Sequence, residues 1–232
     1  MKGDLGEVIS LYIDEYAESP WNEFKKCKNC GINYGKDEIK EFKYYAGFNG
    51  FKRKYTAAVN SSGERISNCK KCGVDISAKN FGGCRPELIT SENLVDFWTE
   101  DDVKDDLRFC QSQEFPKILV TENQKTYDVI GFCWAYKLPF EKFPFLPNYL
   151  EKNSVYIDEI LMRRDFRRKG LGEGMLEEVL KSSKENEMRQ AILRTLTTSN
   201  AYPLCKKLDF KDIGRLDKND MYENRVYLVK DL

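Results

Sequence analysis

One stretch limits the fold more than any other. Val155 to Met162 is rich in β-branched and apolar residues, the composition of a strand. Leu171, Met175, Leu176, Val179 and Leu180 recur at helical spacing. Between them runs Arg167-Arg-Lys-Gly-Leu-Gly172. A strand, a tight basic turn and a helix must therefore follow one another directly. Glycines there let the backbone approach a ligand closely, and the first N–H groups of the helix point outward with cations beside them. That arrangement suits an anion, most naturally a phosphate or pyrophosphate. A Walker A loop needs Gly-Lys-Ser/Thr, which is absent, and a dinucleotide-binding turn needs a third glycine where Met175 stands.

The rest of the chain divides by charge. Its 38 basic and 38 acidic residues cancel, so no global electrostatic partner is implied. From Pro20 to Gly82, however, thirteen Lys and Arg face six Asp and Glu, a net +7 against −7 elsewhere. Such asymmetry predicts separate modules. Met1-Lys-Gly-Asp4 leads into a charged helical pattern, so no signal peptide is expected, and no apolar run nears the roughly 20 residues of a membrane span. The expected setting is cytoplasmic and reducing, where paired cysteines bind metal more often than they form disulfides. There is no histidine, which excludes Ser-His-Asp and Cys-His catalysis.

Leu5, Val8, Ile9, Tyr12, Ile13 and Tyr16 mark one face of a helix that Pro20 stops, giving an N-terminal element over 1–22. Two matched knuckles follow, Cys27-Lys-Asn-Cys30-Gly and Cys69-Lys-Lys-Cys72-Gly. Four thiolates on two such turns make a closed tetrahedral site of the structural Zn2+ type, with iron as the alternative; no position stays open for water, so no catalysis is assigned to it. This zinc-ribbon-like module is placed at 23–82. Within it Phe42 to Tyr45 and Phe51 to Tyr55 predict a hairpin mixing aromatic and basic residues. Those side chains either fill a small core or stack on single-stranded nucleic acid. Phe81-Gly-Gly-Cys84-Arg-Pro86 is the expected boundary, with the isolated Cys84 read as a plain thiol and a further metal ligand as the alternative.

From Pro86 onward the pattern reads as two short helical segments over Ser91–Gln113, strands at 116–121 and 128–136, the proline-rich Leu138–Pro147, the strand–turn–helix above, a strand at 189–195, the segment Asn200 to Phe210, and a final strand at 225–230 that pairs with 209–215. Phe140, Phe143 and Phe145 either wall a pocket or clamp the loop to the core. Asp158 and Glu159 are two carboxylates in an apolar strand. Alternation puts at most one of them on a given face, where a desolvated carboxylate takes a proton from an ammonium; a structural ion pair with Arg163 or Arg164 is the alternative.

Arg167-x-x-Gly170-x-Gly172, the strand pair ending Val-Ile-Gly-Phe132, and Asn200, Leu204, Lys207 and Phe210 in order together resemble the GNAT superfamily of N-acetyltransferases over 86–232. The resemblance implies an α/β fold with a mixed, mostly antiparallel sheet flanked by helices. It implies acetyl-CoA as cosubstrate, bound by backbone at Leu161, Met162 and Arg163, by Arg167, Arg168, Lys169, Gly170, Leu171 and Gly172 at the pyrophosphate, and by Asn200. It implies Asp158 or Glu159 as base, and places Cys205 where the family carries a general-acid Tyr, with Tyr202 a turn earlier as a substitute. The expected reaction is acetyl transfer to the primary amine of a small molecule or protein by direct attack. The alternative is a non-catalytic acyl-CoA-sensing or scaffold domain whose basic ribbon docks on nucleic acid or protein.

Overall fold

The computed structural model describes residues 5–48, 51–59, 62, 66–76, 93–147, 150–218 and 220–232, with the backbone alone over 40–48 and 51–59. The expected boundary at 81–86, Cys84, and the aromatic and basic side chains of the hairpin lie outside the described residues. The chain forms two compact units, one of residues 1–15 with 101–232, the other of 16–100. The second is thus inserted within the first.

The larger unit is built on a six-stranded sheet. Its strands are β6 (Lys117–Glu122), β7 (Val129–Lys137), β8 (Ser154–Met162), β9 (Gln190–Leu196), β10 (Lys211–Gly214) and β11 (Arg225–Asp231), in the order β10-β11-β9-β8-β7-β6. All neighbours are antiparallel except β8 and β9, which are joined through α3 (Leu171–Glu185), as a parallel pair requires. One face carries the aliphatic core. Ile130, Cys133, Ala135, Val155, Ile157, Leu193 and Leu228 meet Met175, Leu176, Val179 and Leu180 of α3 there. The predicted helix stripe is therefore the stripe that is buried. Short α4 (Ala201–Lys207) adds Cys205 to the same core.

The opposite face is aromatic. Tyr12 of α1 (Leu5–Tyr16) stacks on Phe132 and Trp134, and the Val129 N–H donates to Glu7 Oε2 at 2.8 Å, so α1 is tied to β7 at both ends of its first three turns. Phe109 of α2 (Glu100–Ser112) meets Tyr136 edge-on at 5.4 Å. The loop after β7 lays Phe143 on Tyr156 and Phe145 on Tyr227, so two of its three phenylalanines clamp it to the sheet.

In the smaller unit, β1 (Lys25–Cys27) pairs with β2 (Asn33–Tyr34) and with β5 (Leu94–Asp96), and β3 (Lys40–Phe48) pairs with β4 (Phe51–Val59) as the predicted hairpin. The spacing predicts helix at both ends of Ser91–Gln113; among the described residues the helix is confined to the second part, Glu100–Ser112. Leu94-Val-Asp96 instead completes the sheet beside β1, where its apolar residues find a partner strand that spacing alone does not reveal. Among the described residues, Ile39, Ile76, Tyr34, Cys27 and Cys69 pack as one buried cluster of this unit.

Candidate functional site: a forked sheet beside a glycine turn

The parallel pairing of β8 and β9 runs from Ser154–Gln190 to Ile157–Leu193 and stops, although β8 continues to Met162 and β9 to Leu196. Beyond that point the strands part. Asp158 and Arg194 are the first residues past the fork, one on each lip.

A β-bulge shapes the β8 lip. Trp134 pairs with Glu159 and its neighbour Ala135 with Ile157, leaving Asp158 as the extra residue. Strict alternation would send Asp158 and Glu159 to opposite faces. The bulge instead lets both reach the aromatic face, correcting the expectation that at most one does so. The Tyr136 hydroxyl donates to Asp158 Oδ2 at 3.2 Å, and the Tyr12 hydroxyl donates to Glu159 Oε1 at 3.2 Å. Burial raises the Asp158 pKa above the usual carboxylate range, opposed by Arg194 and the Tyr136 hydrogen bond. Asp158 forms no ion pair with Arg163, which pairs with Asp165 at 2.9 Å. Asp106 on α2 lies within electrostatic reach; burial and then the charge of Asp158 raise it to about 6.

Beyond the bulge the Arg163 N–H donates to Ile130 O at 2.8 Å. Alternation in an antiparallel ladder then turns the Leu161 N–H toward β7 as well, and the Ile160 and Met162 N–H groups into the fork. Of the three backbone positions expected to serve a ligand, Met162 is the one whose N–H faces the opening.

The turn after β8 is held from inside. Arg167 Nε donates to Met162 O at 2.8 Å, and its Nη2 pairs with Glu15 of α1, whose other oxygen accepts the Arg164 N–H at 2.9 Å. Arg168 and Gly170 adopt positive φ, 60° and 81°, and α3 starts at Leu171. A side chain at Gly170 would meet nothing within 4 Å, so the space above the turn is open and the glycine is required by its left-handed backbone. Arg168 and Lys169 are exposed beside it. Asn200 is exposed at the start of α4. Cys205 is fully buried in the apolar core, and burial pushes its thiol up to about 12. The Tyr202 hydroxyl donates to Asp212 at 2.9 Å.

Sequence reasoning passed over Arg194 and Tyr227. The available signal was a guanidinium in the middle of the otherwise apolar Ala191-Ile-Leu-Arg-Thr195. Arg194 and Arg225 share Asp220, at 3.5 and 3.4 Å.

In the smaller unit Cys27, Cys30, Cys69 and Cys72 converge, their sulfurs all within 4.8 Å of one another. Cys27–Cys72 and Cys30–Cys69 stand at 3.8 and 3.7 Å. A tetrahedral centre with bonds of about 2.3 Å requires about 3.8 Å between sulfurs, so the cluster fits such a metal. Gly31 and Gly73 take matching φ of 70° and 71°, and their N–H groups donate to the carbonyls of Cys27 and Cys69. The Tyr34 hydroxyl donates to Cys69 Sγ at 3.2 Å, outside the sulfur cluster itself.

This forked sheet with its glycine turn defines the chain's class, and comparison of sequences places it. The chain belongs to the acetyltransferase (GNAT) family, whose model matches residues 86–210. A search of curated proteins finds no match. Solved structures resemble it distantly. A GNAT-family acetyltransferase from Staphylococcus aureus is 17% identical, with 56% of this chain and 78% of that one covered at a TM-score of 0.44. A ribosomal-protein-alanine N-acetyltransferase from Brucella melitensis is 18% identical, with 59% and 80% covered at 0.46. A Bacillus subtilis acetyltransferase in complex with CoA is 15% identical, with 57% and 86% covered at 0.41.

Proposed function

We propose that the chain is an acetyl-CoA-dependent N-acetyltransferase acting on a primary amine, with structural zinc in the four-cysteine module. The observation that carries this reading is the fork, with a desolvated carboxylate on one lip and an open, left-handed glycine turn at the end of the same strand. The chemistry belongs to residues 86–232 with α1; the module at 23–82 is a scaffold whose metal has no open position.

Acetyl-CoA supplies an acyl carbon activated as a thioester. Asp158 or Glu159 takes a proton from the acceptor ammonium, which frees the nitrogen lone pair for attack. The C–N bond forms, the nitrogen gives up its second proton to solvent, the C–S bond breaks, and the thiolate leaves and takes a proton from solvent. The Met162 N–H, directed into the fork, stabilises charge growing on the carbonyl oxygen. Backbone N–H groups of Lys169 to Gly172, with Arg168 and Lys169, hold the pyrophosphate. Arg167 positions the turn through Met162 O and Glu15.

Calorimetry with acetyl-CoA on the intact chain and on Gly170→Glu tests the reading. The variant places an anion at the turn and strains a φ of 81°, and binding should weaken by about 100-fold or more. A folded intact chain that does not bind acetyl-CoA would refute the proposal.

A further inference from the structure

The two lips of the fork are opposite in charge and incompletely satisfied. Asp158 and Arg194 lie within electrostatic reach of one another, yet among the described residues the only ion pair of Arg194 is the 3.5 Å contact to Asp220, which Arg225 shares. Asp220 thus serves two guanidinium groups. On the strand beside each lip lies a buried donor without a hydrogen-bond partner. Tyr227, the cross-strand neighbour of Arg194, is 1% exposed, and its hydroxyl lies toward Arg194 without completing a hydrogen bond. Trp134, paired with Glu159, is 0% exposed, and its indole N–H lies toward Asp158 in the same condition. Buried donors left unmade are costly, and the large majority of buried side-chain polar atoms find partners in folded proteins.

We infer that the acceptor is an amino carboxylate, an α-amino acid or a close analogue, whose carboxylate is gripped by Arg194 and Tyr227 while its amine faces Asp158. This deepens the proposed function and rests on it for the transfer step, though not for binding. An ammonium offers only donors, so a simple cationic amine would leave Tyr227 unsatisfied. A carboxylate supplies acceptor oxygens, and its geometry matches a guanidinium. A zwitterion laid across the fork sets negative against Arg194 and positive against Asp158. The Arg194 side chain is 32% exposed, so it is reachable. An amidated or peptide-linked amine lacks the anion and is disfavoured.

The test uses the intact chain and matched sets: leucine, leucinamide and isoamylamine, then phenylalanine and lysine with their amides and decarboxylated amines. Binding is read by calorimetry without acetyl-CoA, and acetylation by mass spectrometry of the product. In at least one set the carboxylate member should lead by about 10- to 100-fold in binding and in initial rate. Arg194→Gln should collapse that ratio. Tyr227→Phe, which removes a buried hydroxyl that has no hydrogen-bond partner among the described residues, should shrink it by several-fold. No preference for the carboxylate in any set overturns the inference, as does a preference that survives in both variants. Acetyl-CoA binding is measured separately. If it fails while leucine, phenylalanine or lysine still binds through Arg194, the acetyltransferase reading falls and the amino-carboxylate site stands. If acetyl-CoA binds and acetylation ignores the carboxylate, this inference alone falls.

Discussion

Asp158 and Glu159 are neighbours on one face, yet their surroundings separate them. Asp158 is desolvated and its pKa is raised, so it remains protonated at pH values where an ordinary carboxylate has ionised. A base must be ionised to accept a proton. Activity should therefore rise with pH through that raised pKa. Asp158→Asn should lower kcat/KM by about 100- to 10,000-fold and abolish that limb of the pH–rate profile, with Glu159→Gln doing less. The reverse ranking would make Glu159 the base. Asp106 offers a stability test at the same site. Its folded pKa, about 6, lies above the ordinary Asp value of 3.8. Between those values the native state holds a proton that the unfolded state has lost, so its contribution to stability is complete below pH 3.8 and declines as pH rises to about 6. Asp106→Asn should accordingly stabilise the protein by about 1 kcal/mol at pH 7.5, a figure reduced for partial solvent screening, and by nothing near pH 3.5. Urea melts at the two pH values decide it; equal effects at both would show that the charge is not the cause. Cys205 stands apart from these groups. Its burial among α3 and sheet residues makes Cys205→Ala a packing lesion rather than the loss of a proton donor.

At the scale of elements, legibility follows how local the physics is. The β8–turn–α3 run could be read from the sequence because a change of period, a positive-φ glycine and an exposed helix start are properties of neighbouring residues. The cysteine knuckles were legible for the same reason. The bulge at Asp158 was not, because it exists only in the pairing of β8 with β7. The pairing of Leu94–Asp96 with β1 spans some seventy residues and escaped notice likewise. Arg167 illustrates a half-legible residue. The motif identified its position, but its guanidinium turns inward to Met162 O and Glu15, latching α1 to the turn. Arg167→Met should therefore loosen two elements at once. Hydrogen exchange of α1 amides and of 164–170 should accelerate together by about tenfold, as expected for loss of a partly buried, charge-assisted contact worth about 1.5 kcal/mol. Acceleration confined to the turn would refute the latch.

At the scale of the whole molecule, the charge division at Pro20–Gly82 suggests separate modules, while the structure forms two compact units whose order along the chain is more involved. The sheet unit takes its first helix from before the inserted unit and the rest from after it. The two units also depend on different sources of stability. The sheet unit has a continuous aliphatic core backed by an aromatic face. Among its described residues, the smaller unit clusters Tyr34, Ile39 and Ile76 with two cysteines of the four. The four sulfurs lie within 4.8 Å of one another, so the proposed zinc would contribute folding energy directly, and its removal would leave thiolates crowded together. Elemental analysis of the full chain should find one zinc per molecule. Chelation should then abolish hydrogen-exchange protection at 25–34 and 66–76, while β7, β8 and β9 keep theirs, since no cysteine of the cluster lies in that sheet. Acetyl-CoA binding should persist in the chelated protein, because the fork and glycine turn belong to the unit that needs no metal. If protection in β8 and acetyl-CoA affinity instead fall in step with zinc loss, the inserted unit is a folding partner of the sheet and the metal supports the site itself.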